Sequence, residues 1–127
     1  MVRAFAEFPT HDPSVPGRVY EAVVYRHLRD LARRLHGEVF FLRSKNELEV
    51  DFILQASDRL IAIEVTQSPR PKREKLARLR AAADLITASR RLLVYGGQAT
   101  DESEGIPMVP LRQFLVDPAT VVLGGAE

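Results

Sequence analysis

Two alternating segments separated by a tight turn constrain this chain more than any other feature. Residues 47–54 read ELEVDFIL and residues 60–66 read LIAIEVT. Successive side chains on a strand point to opposite faces. Leu48, Val50, Phe52 and Leu54 therefore share one face, and Glu47, Glu49, Asp51 and Ile53 the other. In the second segment Ile61, Ile63 and Val65 oppose Leu60, Ala62, Glu64 and Thr66. Period-two patterns with β-branched residues predict strands. Ser57-Asp58 reads as the turn of a hairpin, although no glycine marks it. With that turn Ala56 faces Arg59 and, counting outward in step, Asp51 faces Glu64, with Cβ atoms roughly 4.5–5.5 Å apart. A register slip of one residue would separate them.

Like charges placed opposite each other on a sheet are destabilising. Three arrangements relieve them. The pair can share a proton, which raises one pKa. It can hold a hard cation such as magnesium or manganese, which takes oxygen ligands. Or it can face solvent among arginine and lysine neighbours.

The surrounding pattern supplies helices to flank such a sheet. Pro9, Pro13 and Pro16 favour an extended arm over residues 1–16. From Arg18 a helix is expected, with Tyr20, Val24, Leu28, Leu31 and Leu35 as its apolar stripe and Gly37 as its stop. EVFFLR (38–43) reads as a strand. Ser68-Pro69-Arg70-Pro71 ends the segment carrying Glu64, and a helix follows from about Lys72 to Ser89 with Leu76, Leu79, Ala83 and Ile86 inward. RLLVYGG (91–97) is a short buried strand, QATDESEG a polar loop, IPMVP an edge strand that tolerates its prolines, and LRQFL (111–115) a short helix. The order is α-β-β-β-α-β-β-α: an α/β chain with a mixed sheet flanked by helices. One domain over residues 17–116 is expected, with residues 117–127 as a tail.

Composition narrows the functional classes. No cysteine means no disulfide, thiolate metal site or cysteine nucleophile. No apolar run reaches the roughly 20 residues of a membrane helix, and the N-terminus lacks a signal-peptide core, so no membrane partner and a cytoplasmic location are expected. His11, His27 and His36 share no ligand spacing, and His27, beside the apolar stripe, reads as structural or surface. No phosphate-cradling glycine loop is present, so the chain is not itself an ATPase. A net charge of +1 is not that of a globally basic nucleic-acid binder. The cations are concentrated, however: Arg70, Lys72, Arg73 and Lys75 open a basic stretch that runs to Arg91. That suits a phosphate-bearing ligand, and it also suits a solvated helix surface.

GRVYEAVVYRHL, FFLRSKNELEVDFIL and LIAIEVTQS together resemble the PD-(D/E)XK, or restriction-endonuclease-like, nuclease superfamily. More specifically, they resemble the domain of unknown function at the C-terminal end of many bacterial and archaeal AAA-type ATPases. The resemblance runs from about Gly17 to Leu115. It implies a restriction-endonuclease-like fold with a divalent-metal site. Asp51 matches the metal-binding aspartate, Glu64 the acidic residue of the (D/E)-X-K element, and Glu21 the first-helix acid that joins the metal shell in some members. Magnesium or manganese would be the cofactor, and Arg70, Lys72, Arg73 and Lys75 would contact nucleic acid. Thr66 departs from the pattern: it stands where the superfamily has its lysine, and threonine supplies no positive charge. Lys45 and Lys72 are candidates to reach in from elsewhere. The resemblance with this departure implies a nuclease-like domain of weak or absent activity. The alternative is a non-catalytic interaction or assembly domain of an AAA-type ATPase system, using Phe5, Phe8, Phe40 and Phe41 as an apolar surface. The sequence carries no signal for oligomeric state.

Overall fold

A computed structural model describes residues 2–5, 18–44 and 49–124. Its elements are β1 (Val2–Phe5), α1 (Arg18–Arg34), β2 (Glu38–Ser44), β3 (Glu49–Ala56), β4 (Arg59–Val65), α2 (Arg73–Leu85), β5 (Arg90–Tyr95), β6 (Asp101–Ser103), β7 (Ile106–Pro110), α3 (Leu111–Val116) and α4 (Pro118–Leu123). One seven-stranded mixed sheet has the order β1-β2-β3-β4-β5-β7-β6. Strands β1 to β4 run antiparallel in sequence. Strands β4, β5 and β7 are parallel, and β6 returns antiparallel on the far edge. The expected α/β architecture and its α-β-β-β-α-β-β-α run are present, and β1, β6 and α4 are additional.

The additions have local causes. The first residues of the expected arm are extended, as read, and pair with β2. Within the expected polar loop, Glu104 (φ 51°) and Gly105 (φ 81°) are both left-handed. That is the backbone a two-residue hairpin turn needs, and it joins β6 to β7. Residues 117–124 are not a tail. The Asp117 carboxylate accepts the Thr120 N–H (3.2 Å), Pro118 opens the first turn and Gly124 closes the helix at φ 90°. Val122, on α4 itself, is fully buried.

Two apolar layers sandwich the sheet. Beneath α1, α3 and α4 lie Phe52, Leu54, Ile61, Ile63, Val65 and Val94. Beneath α2 lie Leu42, Val50, Ile53, Ala62, Leu93 and Ile106. The alternation of β4 and the expected helix stripes are therefore as read. Val50 is a correction: it shares a face with Ile53, not with Phe52 and Leu54. The cause is a β-bulge. Phe40 pairs with Ile53 and Leu42 with Val50, so Phe41 alone stands opposite two residues, Asp51 and Phe52. One extra residue reverses the alternation on its N-terminal side.

Both long helices stop without glycine in the left-handed position. After α1 it is His36 (φ 57°), and the Gly37 N–H returns to the Ala32 carbonyl (2.8 Å). Gly37 is needed for a different reason: a Cβ there would lie 1.9 Å from the Gln55 carbonyl oxygen. After α2 it is Thr87 (φ 54°), with the Ala88 N–H on the Ala83 carbonyl (2.8 Å). This helix-closing motif favours glycine, and a β-branched residue at positive φ is strained. Thr87→Gly is therefore expected to raise the urea midpoint at unchanged slope, a gain of about 1 kcal/mol. Gly37→Ala is expected to lower it by at least about 1–3 kcal/mol.

Candidate functional site

The bulge and the end of the β3–β4 ladder create the site. The turn at Ser57-Asp58 pairs Ala56 with Arg59, and the ladder runs in step to Phe52 opposite Ile63, the register read from the sequence. Beyond that pair only the β5 side of β4 stays in register, through Val65 opposite Val94, and the Thr66 N–H reaches the Val94 carbonyl (2.9 Å). Two main-chain donors are left near the divergence, and side chains satisfy both. The Asp51 N–H donates to Glu64 Oε1 (2.8 Å), and the Val65 N–H donates to Asp51 Oδ2 (2.8 Å). Each strand thus holds the other strand's carboxylate.

Glu64 shares the α2 face with Ala62 and is 6% exposed; it is the buried charged residue among those described. A third group comes from α2. Lys75 Nζ lies 3.6 Å from Glu64 Oε2, with its side chain 30% exposed. Burial drives the Glu64 carboxyl well above the usual glutamate range, and the Asp51 charge pushes it further. The Lys75 ammonium and the Asp51 N–H pull it down, whereas a side-chain hydrogen bond with Asp51 adds to the rise. Two acids and one ammonium therefore lie together, Glu64 buried and Asp51 and Lys75 half-buried, where they can exchange a proton or take a cation.

Sequence reasoning brought Asp51 and Glu64 together but missed Lys75 as their partner, having grouped it with the phosphate contacts. The signal was available: Lys75, Leu79 and Ala82 recur at four and three residues, so Lys75 borders the buried stripe of α2. Thr66 has a different task. Its Oγ1 accepts the Ser68 N–H (3.2 Å) and shapes the turn into α2. Lys72, one of the two lysines expected to reach in, is exposed at the N-cap of α2. The other, Lys45, lies outside the described residues. Arg70, Lys72 and Arg73 are exposed, and none is ion-paired with a described residue.

Glu21 sits on α1, whose buried stripe packs on the opposite face of the sheet. Among the described residues no three His, Asp or Glu side chains are grouped as a metal would need. His27 is structural, its Nδ1 donating to the Val23 carbonyl (2.9 Å) and its ring edge-on to Phe114. Phe41 is no surface residue: it packs with Tyr25 and Phe52 in the core. Phe40 is half-buried on the α2 side. The side chain of Phe5, and Phe8, lie outside the described residues.

Residues 16–114 match the family described as a domain of unknown function, DUF4143. The chain belongs to that family. The DUF4143 match begins two residues before α1 and ends at Phe114 in α3, so it takes in Asp51, Glu64, Thr66 and Lys75 and leaves out α4. No curated protein matches the chain. No helix among the described residues of this DUF4143 domain is long and apolar enough to cross a membrane.

A raised carboxyl pKa makes the folded state bind a proton that the unfolded chain has already lost. Glu64 should therefore cost stability as pH rises from the ordinary glutamate range to its own raised pKa, the reverse of a salt-bridged acid. Glu64→Gln is expected to remove that slope and to be more stable than wild type at neutral pH by about 1 kcal/mol. Lys75→Ala, which removes a group that holds the pKa down, should extend the slope to higher pH. Denaturation midpoints followed from acid to neutral pH check all three.

Proposed function

We propose that this domain is a nuclease-like, nucleic-acid-binding module. Asp51 and Glu64 take a divalent cation, and the Lys75 ammonium supplies the positive charge that Thr66 does not. The reading is carried by one observation: two carboxylates from neighbouring strands are fixed side by side through each other's main chain, with an ammonium 3.6 Å from one of them.

The residues present fit magnesium or manganese. Magnesium is commonly held by one or two carboxylates and keeps several waters, so two acids suffice without Glu21. Each carboxylate has about four lone-pair positions, and the contacts described use only some of them. Once Glu64 gives up its proton, two acids against one ammonium would leave net negative charge, which a dication would relieve. When bound, such an ion would polarise a phosphodiester and make a coordinated water nucleophilic. Lys75, already beside Glu64, would offset charge gathering on the phosphate. Arg70, Lys72 and Arg73 stand exposed at the approach and would hold backbone phosphates through contacts insensitive to sequence and weakened by salt. The resemblance set out above places such a domain alongside an AAA-type ATPase, and that setting is part of the proposal.

Calorimetric titration of manganese into the folded domain is expected to give a single-site isotherm that Asp51→Ala abolishes; identical curves for the two proteins would remove the cation reading. With manganese and plasmid or single-stranded DNA, weak cleavage is expected, absent in Glu64→Gln and reduced by about 10²-fold in Lys75→Ala. Cation binding without cleavage would turn the reading to the non-catalytic alternative.

A further inference from the structure

Several arginines elsewhere in the fold find acceptors among the described residues. Arg59 donates to the Leu123 carbonyl (3.4 Å), and Arg90 to those of Val122 and Val121 (3.1 Å each), closing the C-terminal end of α4. Arg80 pairs with Glu104 (3.8 Å) and Arg91 with Asp84 (3.3 Å). Arg26, Arg29 and Arg33 on α1 differ. All three are exposed, and none is ion-paired with a described residue. Spaced three and four residues apart, they stack along one flank of the helix over roughly 10 Å of its axis. With Ala22, Tyr25 and Asp30 they line a groove of about 410 Å³. The ring of Tyr25 is braced against Phe41 and Phe52 (centroids 5.8 and 6.0 Å away), which makes that wall rigid.

Two ordinary explanations fall short. The helix dipole accounts for Arg33 and Arg34 in the last turn but not for Arg26 and Arg29 in the middle. A solvated helix face gains from alternating signs at i and i+4; here three guanidinium groups meet one carboxylate, Asp30, and none pairs with it. We propose that this groove binds a phosphate-bearing anion, its phosphoryl oxygens taken by the guanidinium forks of Arg26, Arg29 and Arg33. Guanidinium is planar, always charged and matched to phosphate in two-point contacts. The groove lies on the α1 side of the sheet and does not depend on the Asp51–Glu64 reading.

The phosphoryl group can belong to a nucleic-acid strand or to a free nucleotide, so the test uses both. Binding is measured by anisotropy with a fluorescein-labelled single-stranded oligonucleotide, and by calorimetry with ADP and with inorganic pyrophosphate. At least one probe is expected to bind. Its affinity should fall about tenfold for each of Arg26→Gln and Arg29→Gln. Response to the oligonucleotide alone assigns the groove to a strand, and response to ADP or pyrophosphate assigns it to a free phosphate; either supports the site. The control is Arg112→Gln, an exposed arginine on α3. Equal loss there, no binding of any probe, or unchanged binding in the Arg26→Gln/Arg29→Gln/Arg33→Gln variant would overturn it. The substituted side chains are exposed, and a far-UV circular dichroism spectrum confirms that each variant is folded.

Discussion

Two main-chain N–H groups that the sheet leaves over decide the character of this domain. An extra residue in β3 turns the Asp51 N–H away from the β2 ladder, and the divergence of β4 leaves the Val65 N–H facing strand β3 beyond its last pair. A buried donor without an acceptor costs about 1–3 kcal/mol. Each is met by the carboxylate of the other strand. The bonds work in both directions: they complete the backbone accounting, and they hold two acids in one place from which neither can swing out without exposing a donor. Local repulsion is thereby built into the fold, and sites where stability is set against charge in this way are where function is most often found.

The hairpin was legible because two independent signals had to agree. Turn length sets the register, and the apolar faces of β3 and β4 tolerate no slip by one residue. The bulge was not legible. ELEVDF (47–52) alternates without interruption, and the extra residue exists only in relation to β2, a pairing that no local pattern encodes. That is why Val50 was assigned to the wrong face while Asp51 and Glu64 were assigned to the right partner. Lys75 was legible from the spacing of α2 but hidden by its company: amid so many cations it looked like one more surface charge.

The helix ends show tertiary demands overriding local rules. Gly37 looked like a stop signal, yet the left-handed residue is His36, and the glycine serves the close approach of the Gln55 carbonyl. At the end of α2 no glycine is present and Thr87 takes the strained position. The last helix was missed and taken for a tail, although Asp117 as cap, Pro118 in the first turn and Gly124 at the close are its local signals. Thr66 carries a similar lesson for the site. Judged by motif it is a missing lysine; in the fold it is the acceptor that bends the chain toward α2, the helix that brings an ammonium to Glu64 from the side.

The central physical claim is that Asp51 and Glu64 converge on one pocket and share a counter-charge there. A crystal of the domain grown with manganese, with anomalous scattering measured at the metal edge, tests it in one step. The expected map has an anomalous peak within coordination distance of both carboxylates, with the Asp51 and Val65 N–H groups still on the opposing side chains. A well-ordered map in which the two carboxylates face separate regions of solvent, with no metal between them, would contradict the claim.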